Sequence, residues 1–374
     1  MVPDHRGVVR TPARRGGPVT FSVRCPRVLA AQIESLFSSF PLHSGPCALE
    51  IVITRDEGAV SSQPGWQVWF SDSGPMGGIG TGELGELLLA HLRRRWLDAN
   101  HEATHLHSAA AVVEDQLLLL VGGSCAGKSS IIARVGERGG EVLTDEMVAI
   151  DPEAGRLTGF PQPVLLRPPM GAEIAGAVRS ELCSERSTTP TASGASGAPL
   201  GSLGMICFPA FKAAAPIRME VVDPPTAFRN LLAHSCDAIR NPLQAIAALA
   251  GLVCQTPSIT LGFGDSAEAA DRLLDAIRVG APSAFDTRWC AGIPGVVSSP
   301  GVVEGVIAVV LDERITLVAP HTHKVVTLDR SATELWQEMV AERARVDHFF
   351  PSSFTSSLID AGLLCAASGT RGPR

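Results

Sequence analysis

A glycine-rich loop that ends in a lysine and a serine is the part of this sequence whose residue types could do chemistry. Gly122, Gly127, Lys128 and Ser129 match the pattern G-x-x-x-x-G-K-[ST] within LLLLVGGSCAGKSSIIARVGERGGEVLTD, residues 117–145. This spacing lets consecutive backbone N–H groups surround a phosphate, while the lysine reaches its β and γ oxygens and the serine hydroxyl holds Mg²⁺. We predict a nucleotide site made of Gly122, Gly123, Ser124, Cys125, Ala126, Gly127, Lys128, Ser129 and Ser130.

The segments on either side of the loop have the composition that a phosphate loop needs. The wholly apolar run at 117–121 predicts a buried strand, and 129–138 predicts a helix whose positive N-terminal end faces the anion. Only three lysines, Lys128, Lys212 and Lys324, occur among 31 Lys and Arg residues. Because a planar guanidinium cannot replace a compact ammonium inside a phosphate loop, we infer that chemistry requires Lys128.

Two carboxylates follow the loop helix. Asp145 and Glu146 come directly after a short predicted strand at 141–143. Phosphoryl transfer needs one group to orient Mg²⁺ and another to accept the proton of the attacking hydroxyl, and this pair could supply both. His107 begins the strand that precedes the loop strand, and a turn at 114–116 would bring it beside the nucleotide phosphates.

A second pattern, H-E-x-x-H, starts at His101 and ends at His105. On a helix this spacing places two imidazoles on one face, where they bind zinc. Here Asn100 is predicted to end a helix, and 106–113 is predicted to be a strand. The two histidines would then share no helical face, so we do not expect zinc.

The composition limits the classes of protein to which this chain can belong. A chain of 374 residues with 45% hydrophobic and 18% charged residues is typical of a globular protein with two or three domains. A net charge of −7 argues against nucleic-acid partners. No apolar run approaches the roughly 18 residues of a membrane span, and the N-terminus lacks a signal pattern, so we expect a cytoplasmic protein without a membrane partner. Nine scattered cysteines predict reduced thiols.

The remaining N-terminal part is organised around one amphipathic helix. Leu84, Leu87, Leu88, Leu92 and Trp96 share one face of this helix, and the arginines at 93–95 are predicted to be a solvated helix end. We predict a disordered tail at 1–20, strands at 48–54 and 66–70, a mobile loop at 179–203, helices at 224–235 and 242–253, a strand at 258–264 and a helix at 266–277.

The C-terminal part follows a Pro/Gly/Ser-rich linker at 281–303. A helix should begin near Ser331, because Ser331 and Glu334 have the spacing of a capping box. We further predict three short strands and a second helix, at 306–311, 315–319, 324–328 and 352–361.

The spacing of His107, the loop GGSCAGKSS and Thr144-Asp145-Glu146 resembles that of the HPr kinase/phosphorylase family and its relatives. This resemblance implies an α/β P-loop kinase core, similar to phosphoenolpyruvate carboxykinase, over 21–280. It also implies ATP and Mg²⁺ as cofactors, catalytic roles for Lys128 and His107, Asp145 as the general base, and Ser129 and Glu146 as metal ligands. The family has a second aspartate where this chain has Glu146. Its relatives form rings, which leaves a homo-oligomer open.

Two later segments resemble HPr-kinase-related proteins more than the true HPr kinases. These are FPQPVLLR at 160–167 and MICFPAF at 205–211. The chain lacks the RPGRN-type stretch of the true enzymes, so the resemblance does not support HPr as the substrate. The late arginine of the family remains open between Arg167 and Arg218.

The segment ITLVAPHTHKVVTLDRSATELWQEM, with AGLL further on, resembles the PqqD family of small winged-helix-like, peptide-binding domains. The resemblance covers 304–368 and implies that a leader peptide adds a strand to the edge of the sheet beside a helix. An appended domain for dimerisation or DNA binding is the alternative.

Together these features predict an ATP-dependent kinase that phosphorylates a Ser or Thr hydroxyl of a ribosomally synthesised precursor peptide. The leader of that peptide would bind to 304–368. A small-molecule kinase for an amino acid or sugar, with the same site, is one alternative. A nucleotide-switched regulatory protein is another, and Asp145 with Glu146 argues against it, because a switch needs no catalytic base.

Overall fold

The structure is a computed structural model, and it describes the chain in separate segments. The described residues are 4–9, 19–38, 40, 44, 46–56, 65–162, 164, 197–279, 295–296, 302–342, 352–361 and 363–364. Most of the mobile loop predicted at 179–203 and most of the linker predicted at 281–303 lie outside these residues, as does Arg167.

An N-terminal sheet packs against two helices. Residues 4–9, predicted to belong to a disordered tail, form a strand that pairs antiparallel with the next one, which satisfies backbone groups along both. The strands predicted at 48–54 and 66–70 are confirmed. In sheet order the strands are β1 (Asp4–Val9), β2 (Val19–Arg24), β3 (Leu49–Asp56), β4 (Gly65–Phe70) and β5 (Gly74–Ile79), and the helices are α1 (Ala30–Leu36) and α2 (Thr81–Ala99).

The apolar face of α2 belongs to the core of this part of the chain. Leu84, Leu88, Leu92 and Trp96 are buried in one cluster with the inward-facing residues of β2, β3 and β4. The predicted amphipathic helix is therefore confirmed. Because its apolar face is buried, the opposite face of α2 points away from this cluster.

The phosphate loop joins a strand of a second sheet to a helix. The strands of this sheet are β6 (Thr104–Val113), β7 (Gln116–Val121), β8 (Glu141–Thr144), β9 (Met147–Asp151), β10 (Arg156–Gly159), β11 (Gly197–Pro199), β12 (Leu203–Phe211), β13 (Arg218–Val221) and β14 (Ser258–Phe263). Their order is β11-β10-β9-β6-β7-β12-β14-β13, and β8 pairs with β6. β7 pairs antiparallel with β6 and parallel with β12. Four helices follow strands of this sheet along the chain: α3 (Lys128–Glu137), α4 (Pro224–Ala233), α5 (Pro242–Gln255) and α6 (Ser266–Val279).

A third, smaller sheet lies near the C-terminus. Its order is β15 (Gly295–Val296), β16 (Ile307–Leu311), β17 (Arg314–Ala319) and β18 (Lys324–Thr327), and it is followed by α7 (Arg330–Glu342) and α8 (Ser352–Asp360). Trp336, Met339 and Leu358 from the two helices are buried with Ile315 and Leu317 of β17. The three predicted strands and two predicted helices are confirmed.

The start of α7 differs from the prediction. Asp329 caps the helix, because its Oδ1 accepts a hydrogen bond from the backbone N of Ala332 at 2.8 Å. The backbone O of Asp329 accepts from Thr333 N at 2.8 Å. The capping box predicted at Ser331 is therefore wrong, since Ser331 already lies within the first turn.

Contacts divide the chain into two compact units. The first unit contains residues 1–219 and 260–281, and the second contains 220–259 and 282–374. Helices α4 and α5 thus group with the C-terminal residues, while the predicted domain boundaries stay predictions. Among the described segments, no helix combines the length and the apolar composition needed to cross a membrane.

Candidate phosphoryl-transfer site

The hairpin between β6 and β7 brings His107 to the phosphate loop. Glu114 and Asp115 form its tight turn with φ values of 48° and 65°, the left-handed conformation that suits a two-residue hairpin. Ser108 then pairs with Val121, so His107 lies level with Gly122, where the loop begins. The hairpin predicted at 114–116 is present.

The loop between β7 and α3 requires glycine at its last position. Gly127 has φ 94°, and a Cβ there would lie 2.4 Å from Cζ of Phe263. Residues 123–125 are exposed and Ser129 is half-buried at the start of α3. Backbone N–H groups at the start of a helix have no partner within the helix, so this end of α3 can bind an anion.

Lys128 is buried against the loop. Only 6% of the surface of Lys128 is exposed. Its Nζ donates hydrogen bonds to the backbone O of Gly122 at 2.6 Å and to that of Gly123 at 3.1 Å. Nζ also lies 3.3 Å from Nε2 of His107. The ammonium is thus held at the loop where the sequence predicts phosphate oxygens to bind.

His107 lies between a cation and an anion. Because an ammonium has only donors, Nε2 of His107 accepts from Lys128, while Nδ1 lies 3.7 Å from Oε1 of Glu146. Burial lowers the pKa of His107, and the charges of Lys128 and Arg93 lower it further, although Glu146 opposes this shift. His107 is therefore a neutral imidazole near pH 7.

The turn with the two carboxylates is fixed next to His107. Oγ1 of Thr144 accepts hydrogen bonds from the backbone N of Glu146 at 3.2 Å and of Met147 at 3.3 Å. Ser108 N donates to Glu146 O at 3.2 Å. Since β6 separates β7 from β8 and β9, the carboxylates follow a strand that lies two strand spacings, about 10 Å, from the loop strand.

Arg93 is a member of this network that the sequence did not reveal. Its Nη1 donates to Oε1 of Glu146 at 2.8 Å. The solvated helix end predicted for 93–95 is wrong for Arg93 and also for Arg95, which forms an ion pair with Asp72 at 2.6 Å. Three consecutive arginines at the end of a helix were the available signal, but the sequence does not tell which of them faces an acid.

Asp145 has a different partner. Nε2 of Gln162, just after β10, donates to its Oδ1 at 3.0 Å, and Asp145 is 4% exposed. The segments that contain Gly159 and Leu143 approach each other closely here, since a Cβ on Gly159 would lie 2.6 Å from the backbone O of Leu143. Gln162 belongs to the segment 160–167 that the sequence singled out, although its contact with Asp145 was not predicted.

Other candidate residues lie elsewhere. His105 is buried in β6 with its ring 5.6 Å from that of Trp96, whereas His101 follows the end of α2. The two histidines therefore share no helical face. Arg218 begins β13 and is exposed.

The predicted metal ligands suit a cation held mainly by its substrate. The described residues contain no group of three or more His, Cys, Asp or Glu side chains that could hold a metal ion. Mg²⁺ in nucleotide sites commonly uses one or two carboxylates together with phosphate oxygens and water, so it needs no such group. The hydroxyl of Ser129 and the carboxylate of Glu146 fit that role.

Comparisons with known proteins give little further support. No protein-family profile matches the chain, and no curated protein matches it. Among solved structures, it is similar to the Hpr(Ser) kinase/phosphatase from Coxiella burnetii, with 12% sequence identity over 47% of this chain and 94% of that chain, at a TM-score of 0.23. A TM-score this low carries no functional inference. No comparison shows a PqqD-like domain, so that resemblance stays a prediction.

Proposed function

We propose that this protein is a kinase that transfers the γ-phosphoryl group of ATP to a hydroxyl. The grouping of the phosphate loop, Lys128, His107 and the turn with Asp145 and Glu146 at one end of neighbouring strands supports this proposal most directly. A protein that only binds nucleotide needs the loop and the lysine. It does not need a buried carboxylate held by an amide donor one helix further along the chain.

The loop and Lys128 bind and stabilise the phosphates. Backbone N–H groups of the loop and of the first turn of α3 contact the phosphate oxygens. Lys128 exchanges its bonds to Gly122 O and Gly123 O for bonds to the β- and γ-phosphate oxygens. Its positive charge then stabilises the negative charge that develops on the oxygens during transfer.

Asp145 accepts the proton of the attacking hydroxyl. Gln162 holds one carboxylate oxygen through its amide N–H, which fixes the direction of the other oxygen. His107, which is neutral, accepts from Lys128 and keeps the ammonium next to the loop. Arg93 holds Glu146 beside His107. Ser129 and Glu146 would hold Mg²⁺, and the bound ion would offset the charge on the β and γ oxygens.

For the substrate, we propose a precursor peptide whose leader binds along β18. In the described part of the sheet, β18 pairs only with β17 and forms one edge. Leu328 N donates to Ile315 O, and bonding alternates along an antiparallel ladder, so Val325 and Thr327 direct their N–H and C=O groups to the free edge. An added peptide strand would bond to these groups.

The end of α8 lies beside the start of the same strand. Lys324 Nζ donates to Asp360 O at 2.9 Å, which fixes the end of α8 beside the start of β18. Val326 and Ile359 are only partly buried and pack against the core of this sheet. Apolar side chains of the leader could contact these two residues, which would thereby select the peptide sequence.

Mass spectrometry tests the transfer. Full-length protein is incubated with ATP, Mg²⁺ and candidate peptides encoded beside its gene, and we expect one phosphate to be added to a Ser or Thr. Lys128→Ala and Asp145→Asn should abolish the addition. Asp151→Asn is the matched control, because the side chain of Asp151 accepts a bond from Ala154 N in a turn after β9. ATP consumption with free amino acids or sugars, and no change in any peptide, would favour the small-molecule kinase instead.

A proline in the edge strand tests leader binding. Val325→Pro removes an N–H that faces the free edge but no bond to β17, and proline is tolerated on edge strands. We expect peptide affinity to fall about 10-fold, as for the loss of one or two main-chain bonds, with ATP affinity unchanged. Unchanged peptide affinity would contradict binding at β18.

A further inference from the structure

The last residue of β12 presents an aromatic ring beside the phosphate loop. Phe211 is 50% exposed, whereas Phe208, three residues earlier in the same strand, is buried. Single exposed apolar residues are common on proteins, so exposure alone carries no functional meaning. Its position at the loop and its contact with a buried ring distinguish Phe211 from such residues.

Backbone contacts place Phe211 at the loop. β12 runs parallel to β7, so the two strands end at the same edge of the sheet, where α/β proteins bind ligands. Phe211 N donates to Ala126 O at 3.3 Å. A Cβ on Gly127 would lie 3.4 Å from Cβ of Phe211. The side chain therefore begins next to the loop that is predicted to hold the phosphates.

The ring is supported from one side. Its centroid lies 5.5 Å from that of Phe263, which is almost fully buried, with an angle of 59° between the rings. The following residue is tied to the same strand end, because Lys212 N donates to Phe263 O at 2.9 Å. The turn after it is equally close, since a Cβ on Gly264 would lie 2.7 Å from Ala215 N. Half of the surface of Phe211 nevertheless stays exposed to solvent.

We propose that Phe211 stacks on the base of the bound nucleotide. This inference rests on the proposed function, because it places the base of the same nucleotide whose phosphates lie in the loop. A purine offers a flat apolar face that matches an exposed phenyl ring held from behind. Stacking recognises the face of a base and not its hydrogen-bonding edge, so it predicts little discrimination between ATP and GTP.

Titration calorimetry with ATP, GTP and inorganic tripolyphosphate tests the inference on the full-length protein. Phe211→Leu retains apolar volume but removes the π face, and we expect it to weaken ATP and GTP about 10-fold or more. Tripolyphosphate has no base, so its affinity should change less than about 2-fold. Phe211→Trp should restore ATP affinity, because indole offers a larger face.

Two further measurements make the outcome decisive. Trp69→Leu removes a partly exposed aromatic residue of β4 and should leave all three affinities unchanged. Thermal unfolding followed by circular dichroism shows whether each variant is folded. The inference is overturned if Phe211→Leu binds ATP as tightly as wild type, or if it weakens ATP and tripolyphosphate equally. If the wild-type protein binds none of the three ligands, the proposed function fails as well, and the two failures are thereby distinguished.

Discussion

The phosphate loop and the edge strand β18 present main-chain groups in two different ways. In the loop, a glycine with positive φ precedes the N-terminus of α3, and the polar side chains around it are hydrogen-bonded, with Lys128 buried. In β18, the outward N–H and C=O groups of Val325 and Thr327 form a row, and an apolar core lies under the sheet. The first arrangement suits a compact anion and the second suits an extended chain.

This difference determines what each region tolerates. Lys128, Asp145 and Glu146 depend on particular hydrogen-bond partners, so small changes of shape or charge should alter chemistry while the fold persists. The C-terminal sheet depends on a few large apolar side chains, so a loss of volume should unfold it. The predictions below separate these two kinds of dependence.

The largest effect is expected from Trp336→Ala. Trp336 is almost fully buried in the C-terminal core, and replacing a buried tryptophan by alanine costs about 3–5 kcal/mol. We expect peptide binding to be lost in calorimetry, while ATP affinity stays within about 2-fold of wild type. Loss of ATP binding as well would show that the two regions are not independent.

Gly127→Ala should have the next largest effect. The added methyl would meet the ring of Phe263 and φ is unfavourable for alanine, so we expect a loss of about 2–4 kcal/mol in stability and of nucleotide binding. Gly139→Ala is a matched control with φ 91° and no atom within 4 Å of the new Cβ. It should cost only about 1 kcal/mol, from the conformation alone. Equal thermal unfolding midpoints for the two variants would contradict this account.

Arg93→Met should lower the affinity of the protein for Mg²⁺. Arg93 holds Glu146, and loss of a residue that orients a metal ligand commonly costs 10-fold or more in metal affinity. We expect the Mg²⁺ concentration for half-maximal activity to rise about 10-fold. The pair is partly exposed, so stability should change by less than about 1 kcal/mol. Arg95→Met, which removes the ion pairs with Asp72 and Asp98, should leave the Mg²⁺ dependence unchanged.

The smallest effect concerns pH. The pKa of His107 is lower in the folded protein than in the unfolded chain, so the unfolded chain binds more protons as the pH falls below about 6.5. Wild type should therefore lose stability between pH 7.5 and 5.5, and its thermal unfolding midpoint should fall a few degrees more than that of His107→Gln. If the unfolding midpoints of the two proteins change equally with pH, a neutral His107 beside Lys128 is refuted.

The sequence predicted the elements whose signals are local. The apolar run of β7, the glycines of the loop and the helix after it lie within about twenty consecutive residues, so their periodicity and spacing were enough. The three strands and the helix of the C-terminal sheet were predicted for the same reason. The position of His107 also followed, because a two-residue turn fixes the register of a hairpin.

Contacts between distant residues could not be predicted in this way. Arg93 and Glu146 are 53 positions apart, and Gln162 and Asp145 are 17 apart on different elements. No periodicity relates such residues, since packing of α2 and the path after β10 bring them together. The capping by Asp329 was missed for a different reason, because Ser331 offered an equally good local pattern.

The burial of Lys128 also has a consequence for chemical labelling. Of the three lysines in the chain, Lys212 and Lys324 are exposed, and each belongs to a different compact unit. An amine-directed reagent should therefore acylate these two side chains faster than that of Lys128, which is buried against the loop. The natural sequence thus provides one exposed lysine in each unit, to which a fluorophore can be attached without introducing a new residue.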